Sequence, residues 1–170
     1  MQGDLLSVPP RLSWPNGAPA LASQSPQPAF ERICLGLCED YPRAARSLDH
    51  ARRDLRAAQT AGVRVLRVGI AWDTLEPKPG VYDWNFWDAF MRMATEECHL
   101  RLIPYVAYPP RWCSASPGDD VYWRSPPKDS EAYTRVLAQL AARYAEVVPS
   151  WELWNEPDNP DFWLGTPQEY

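Results

Sequence analysis

An α/β chain of repeated βα units around a parallel sheet is what the sequence predicts, and three observations carry that expectation. Four short runs rich in Val, Ile, Leu and aromatic residues alternate with segments whose apolar residues recur at helical spacing. Helix caps and stops fall at the joins between them, at Ser47, Gly62, Asp83 and Asp129. The fourth apolar run ends in Asn155-Glu156-Pro157, where proline, lacking an N–H, stops the strand and leaves an amide and a carboxylate at its tip. In α/β folds ligands bind at the carboxyl ends of the strands, which makes Glu156 a candidate catalytic group.

Residues 1–29 are rich in Pro, Ser and Gly without periodicity and read as an extended or disordered arm, and residues 30–170 read as the βα domain. Phe30–Leu37 is the first expected strand, followed by a loop Cys38-Glu39-Asp40-Tyr41-Pro42 whose acids face either a ligand or solvent. Ser47 can cap a helix with Leu48, Ala51, Leu55 and Ala58 on one stripe, and Gly62 stops it. Val63–Ile70 is the second strand, with Leu66, Val68 and Ile70 on one face and Val65, Arg67 and Gly69 on the other. Both faces of such a strand are buried, so a cation at Arg67 needs a carboxylate partner. Strands two and four share parity, and Glu152, on the same strand face as Glu156, is a candidate partner.

Asp83 can cap a second helix with Trp87, Phe90, Met91, Ala94 and Cys98 on its buried stripe. Leu100–Tyr108 is the third strand, with a bulge or break expected at Pro104, and the long aromatic stretch to Lys128 reads as one wall of a cleft. Asp129 or Ser130 caps a third helix that buries Tyr133, Val136, Leu137, Leu140 and Tyr144. Ser150–Asn155 is the fourth strand, and Thr166-Pro167-Gln168-Glu169 has the pattern of a helix start. Four parallel strands joined by right-handed crossovers, in 170 residues, predict the N-terminal half of a (β/α)8 barrel, which as a whole needs about 250 residues. Such a half leaves the first and fourth strands as sheet edges, and self-association through them is expected.

Composition narrows the function. Net charge is −5, and no run of basic residues marks a nucleic-acid footprint. No stretch approaches the ~20 apolar residues of a membrane span. Residues 1–30 have no leader-like apolar core, so a cytoplasmic location is expected. The four cysteines form no Cys-x-x-Cys pair; Cys34 and Cys98 are expected as buried free thiols, and no metal or cofactor is expected. Nine tryptophans suit a carbohydrate site, because flat indoles match the C–H face of a pyranose, although indoles are equally good core material.

The motifs resemble the clan A glycoside hydrolases. Asn155-Glu156-Pro157 at the fourth strand resembles the clan's Asn-Glu acid/base motif, and Arg67 resembles its strand-two arginine. The segment Trp72 to Trp84, with Glu76-Pro77 inside it, and Pro109-Pro110-Arg111-Trp112 resemble the turns after strands two and three. Glu152 to Pro157 followed by Asp161-Phe162-Trp163 is most similar to the β-xylosidase/α-L-iduronidase family. The resemblance implies retaining hydrolysis of a carbohydrate substrate. Glu156 is then the acid/base, its pKa raised by Trp154, Trp112 and Trp72, and Asn155 contacts the sugar 2-hydroxyl. It also makes Arg67, Trp72, Trp112 and Trp154 substrate-site residues, and gives Glu76 a structural place. The clan's nucleophile lies at the end of a seventh strand, so these four units are expected to be a fragment without it. A non-catalytic carbohydrate-binding relative and a structural half-barrel completed by another chain remain as alternatives.

Overall fold

Ser47 starts the first helix as predicted, its hydroxyl accepting from the His50 amide at 3.4 Å. The computed structural model describes residues 10–14, 17, 34–41 and 47–170. Helix α1 (Leu48–Thr60) buries Ala51, Leu55 and Ala58, and Gly62, at φ +87°, turns the chain after it. A side chain at that φ would be strained, which is why glycine stands there. Leu48, placed on the buried stripe by periodicity, is instead exposed in the first turn.

Strand β2 (Val65–Ala71) shows the expected alternation, with Leu66, Val68 and Ile70 buried and Val65, Arg67 and Gly69 half-buried. A single turn, α2 (Trp72–Leu75), follows it directly, where a loop was expected. Helix α3 (Asn85–Arg92) continues as a π-turn over Met93–Glu97 and buries the predicted stripe from Trp87 to Cys98. Its N-cap is Trp84; Asp83 lies one residue earlier and accepts from the Asn85 amide at 3.1 Å. Helix α4 (Ser130–Arg143) is capped by Asp129, which accepts from both Glu131 and Ala132.

Two remaining strands complete a parallel sheet in the order β1-β2-β3-β4, with β1 (Gly36–Asp40) and β4 (Glu152–Leu153) outermost among the described residues. This is the four-unit, N-terminal half of a (β/α)8 barrel that the sequence predicts. Strand β3 (Arg101–Ala107) runs through Pro104 without the expected bulge, pairing Val68 with Pro104 in register. In a parallel strand a residue's N–H and C=O point to the same neighbour. Val106 directs its carbonyl to Trp154, so Pro104, of the same parity, faces the β4 side. Pairing with β4 begins only at Tyr105–Glu152, so no ladder bond needs the missing N–H.

Strand β1 departs from expectation more. Its predicted start, residues 30–33, lies outside the described residues, and Cys38, Glu39 and Asp40 belong to the strand instead of a loop. Parallel pairing with β2 extends as far as Asp40–Gly69 and draws them in. Cys34 is exposed, against the expectation of a buried thiol, because it precedes this open strand; Cys98 and Cys113 are buried. Strand β4 is two residues long, shorter than predicted, and at Thr166 to Glu169 the structure has a turn. Glu169 there accepts from the Thr166 amide at 2.8 Å and hydroxyl at 2.9 Å, so the cap bonds form without a helix.

The core lies between the outer face of the sheet and the helices. Leu66, Ile70, Leu102 and Val106 meet Leu55, Phe90 and Val136 there, all at most 3% exposed. Each such side chain contributes about 1.5–3 kcal/mol. Asp88 on α3 ties to α4, accepting from Arg143 Nε at 2.8 Å and from the Tyr144 hydroxyl at 3.0 Å. Residues 10–14 of the arm dock at this end, Leu12 taking the Arg143 carbonyl at 3.1 Å. No helix among the described residues is long and apolar enough to cross a membrane.

Candidate active site

Register places a polar row on the inner face of the sheet. Cys38 and Arg67 pair across β1 and β2, and Asp40, Gly69, Tyr105 and Glu152 line up one level nearer the carboxyl ends. Arg67 finds its carboxylate: Nε and Nη2 converge on Glu152 Oε2 at 2.8 and 2.7 Å. Nη2 also donates to Asn155 Oδ1 at 3.0 Å, Nη1 reaches Cys38 Sγ at 3.3 Å, and the guanidinium lies 4.3 Å from the Tyr105 ring centre. Burial works against the Arg67 cation, but hydrogen bonds to Glu152 and Cys38 outweigh it and hold its pKa above the ordinary value.

Asn155 reaches Arg67 because the chain turns sharply after β4. Trp154 has φ +71° and Glu156 φ +43°, both in the left-handed region. For residues with a Cβ that costs about 1–2 kcal/mol each. The Trp154 indole, 3% exposed among Tyr108, Tyr133 and Trp163 with Nε1 on the Phe162 carbonyl at 3.0 Å, offsets the cost. Strand parity set Glu152 and Glu156 on one face; since β4 stops at Leu153, the structure brings Asn155 to Glu152 and Arg67 instead. With its Oδ1 held by Arg67, Asn155 has its amide N–H groups directed away from the guanidinium, on the side of the Tyr108 hydroxyl.

Glu156 is exposed, with Oε2 accepting from Asn159 Nδ2 at 3.0 Å. The desolvating indoles expected around it are engaged elsewhere. Trp154 is buried as described, and Trp72 is 0% exposed with Nε1 on Glu76 Oε2 at 2.6 Å. Neither presents a surface to a substrate, which corrects their expected place in the site; the sequence shows an indole near the motif but not what covers it. Trp112 is partly exposed, donates to the Glu76 carbonyl at 3.0 Å, and lines a cavity of about 390 Å³ with Asp73, Pro77, Arg111 and Tyr122. Glu76 is itself buried, its other oxygen accepting from the Gly80 amide at 2.7 Å, in keeping with a structural place.

Sequence reasoning left Asp40 open between a ligand and solvent, and missed Tyr105 and Tyr108. Asp40 Oδ1 accepts from the Tyr105 hydroxyl at 2.7 Å and from the Gly69 amide at 3.1 Å. A Cβ on Gly69 would lie 2.5 Å from that hydroxyl and 2.6 Å from the carboxylate. A glycine inside a strand marks such close approach, and Gly69, two residues from Arg67, was the available signal. Among the described residues no group of His, Cys, Asp and Glu could hold a metal ion.

The tyrosines give a measurable consequence. Burial, then the hydrogen bond and charge of Asp40, raise the Tyr105 pKa, and burial raises those of Tyr108 and Tyr133. Burial, then Glu76, pushes Tyr82 up to about 12. These phenols hold protons more tightly folded than unfolded, where the value is about 10. Their contribution to stability is therefore complete below about pH 10 and is lost as pH climbs toward 12 and beyond. The thermal midpoint should fall from about pH 10 upward, with tyrosinate absorbance and loss of circular dichroism appearing together. Full tyrosine ionisation near that pH in a folded protein would contradict this.

Comparison with known proteins matches residues 40–125 to a glycoside hydrolase family 42 model described as β-galactosidase. That segment holds Asp40, Arg67, Glu76, Tyr108 and Trp123 and stops before Glu156. The chain is 31% identical over 145 residues to β-galactosidase BgaA of a Thermus species, covering 72% of this chain and 22% of that one. It is 29% identical to the β-galactosidase of Thermus thermophilus, with the same coverage. It thus spans about a fifth of the length of the curated relatives it matches. Among solved structures, a monomeric β-xylosidase from Caulobacter crescentus CB15 superposes with TM-score 0.59 at 24% identity over 80% of this chain and 31% of that one. The exo-β-1,4-mannosidase Op5Man5 from Opitutaceae bacterium strain TAV5 does so with TM-score 0.56 at 24% identity, over 81% and 28%. At those identities the likeness shows the fold.

Proposed function

Since the chain belongs to the β-galactosidase family of glycoside hydrolases matched over residues 40–125, we propose that it carries the acid/base half of a retaining β-galactosidase site, with Glu156 as the acid/base. The observation that supports this reading most is the placement of Asn155 and Glu156 at the carboxyl end of β4. Asn155 is fixed there by Arg67, and Glu156 stands open to solvent beside it. Glu156 protonates the departing glycosidic oxygen, then takes a proton from the water that releases the sugar from the enzyme. The Asn155 amide, its oxygen held by Arg67, donates to an acceptor such as the sugar 2-hydroxyl.

Retention requires a nucleophilic carboxylate about 5 Å from Glu156. Glu152 is bound to Arg67 and Glu76 is buried under Trp72, so neither fits that role, and the clan resemblance puts it at the end of a seventh strand. The galactose preference rests on the family; a xyloside is the competing substrate. The intact protein should hydrolyse nitrophenyl β-galactoside faster than the β-xyloside, and proton NMR should show the β-anomer of the sugar released first. Initial release of the α-anomer would remove the retaining mechanism, and absence of turnover on every β-glycoside would remove the enzymatic reading.

A further inference from the structure

The loops after β2 and β3 hold between them the cavity of about 390 Å³, lined by Asp73, Pro77, Pro110, Arg111, Trp112 and Tyr122. The chemistry proposed for Glu156 uses none of these residues, and the cavity lies apart from that carboxyl group. Trp112 meets the buried Trp72 edge-on with ring centres 5.7 Å apart, Trp72 meets Tyr133 at 5.6 Å, and Tyr133 meets Trp154 at 5.9 Å. This succession of rings stands between the cavity and the turn that carries Asn155 and Glu156.

The walls are fixed by hydrogen bonds of their own. Trp112 Nε1 donates to the Glu76 carbonyl at 3.0 Å, which sets the indole's orientation. The Tyr122 hydroxyl donates to Asp73 Oδ2 at 3.0 Å and ties the two loops together. Ser114, 0% exposed, donates from Oγ to the Tyr122 carbonyl at 2.7 Å. Arg111 Nη1 donates to the carbonyls of Pro117 and Asp119 at 2.8 and 3.0 Å, and its guanidinium lies 4.1 Å from the Tyr122 ring centre. Groups held this way lose little freedom when a ligand arrives.

The lining also selects a chemistry. It carries one carboxylate and one guanidinium, so an anion such as phosphate meets Asp73 and a cation meets Arg111. A neutral ligand with many hydroxyls suffers neither conflict. A carboxylate offers about four lone-pair positions, more than the Tyr122 hydroxyl takes, and Arg111 keeps the donors on Nε and Nη2. The partly exposed Trp112 indole and two proline rings supply apolar surface beside these groups. The volume falls at the small end of the range of about 300–1,000 Å³ usual for ligand sites, which suits one or two sugar rings.

We propose that this cavity is a second, non-catalytic binding site for a neutral saccharide, with Asp73 and Arg111 on its hydroxyls and Trp112 against the C–H face of a pyranose.

The test titrates the intact protein with lactose, observed by saturation-transfer NMR, with and without an iminosugar of galactose configuration that fills the catalytic site and stops hydrolysis. The cavity predicts lactose binding that persists under the iminosugar, with a Kd on the order of millimolar. Asp73→Asn, which keeps the size and an acceptor for Tyr122, should weaken that binding about tenfold. Trp112→Phe should weaken it about threefold. Glycerol, which has hydroxyls without a ring, and inorganic phosphate should not displace lactose at equal concentration. Asp73→Asn should leave kcat/KM for nitrophenyl β-galactoside unchanged. Absence of lactose binding under the iminosugar, binding indifferent to both substitutions, displacement by glycerol or phosphate, or a fall in kcat/KM for Asp73→Asn would each overturn the second site. A protein that takes lactose in this cavity but turns over no β-glycoside would sink the enzymatic reading and leave the second site standing, so the two failures are distinguishable.

Discussion

Glu156→Gln in the intact protein should lower kcat/KM for unactivated β-galactosides by about 10²–10⁴-fold, the usual contribution of a positioned general acid. The glutamine keeps the side chain's size and can still pair with Asn159, so the fold should be unaffected. The loss should depend on the leaving group. A dinitrophenolate departs without protonation, so the first step recovers, while the second still lacks a base to activate water and kcat stays low. Azide, which needs no deprotonation, should then restore turnover and yield a β-galactosyl azide. A loss of equal size for every leaving group, without azide rescue, would mean that Glu156 only positions the substrate.

What could be read from the sequence followed the range of the forces involved. The stripes on α1, α3 and α4 are local patterns, and burial followed them except at Leu48, which is exposed, and at Tyr133 and Leu137, which are partly buried. The Arg67–Glu152 pair was legible because a charged residue inside a buried strand must be matched, and strand parity limits the partner to a few positions. The extent of β1 was not, because Asp40 joins the strand through pairing with Gly69, far along the chain. Tyr105 reads as core until the Gly69 gap that admits its hydroxyl is seen. Neither Trp154 nor Glu156 is a residue type inclined to positive φ, so nothing local announces the turn that separates Glu156 from the face of Glu152. Their conformation is decided by Tyr133 from α4 and by Trp163, which enclose the Trp154 indole. A motif can therefore place a carboxylate at a strand tip without revealing which neighbouring indoles meet solvent.

Glu76 shows the opposite outcome for a carboxylate in the chain's other Glu-Pro setting, and Glu76→Ala should be the most destabilising single change near the site. The residue is 5% exposed. It accepts from Trp72 Nε1 at 2.6 Å and the Gly80 amide at 2.7 Å, and its charge raises the pKa of the Tyr82 phenol. Alanine leaves these donors facing a void, and Trp72, at 0% exposure, has no route to water. Each stranded donor costs about 1–3 kcal/mol, so a loss of about 3–5 kcal/mol is expected in denaturant unfolding. Glu76→Gln keeps the volume but turns an N–H toward Trp72 or Gly80, so it should lose about 2 kcal/mol. Tyr82 gives an independent readout. Without the Glu76 charge its pKa should drop from about 12, leaving burial alone to raise it. Measured well below the melting temperature, Glu76→Ala should retain far more activity than Glu156→Gln, because the Asn155–Arg67–Glu152 chain does not run through it. An unchanged unfolding midpoint would show that water reaches Trp72 and Gly80 in place of the carboxylate, and that the loop after β2 is held by Trp112 and the packing of Trp72 alone.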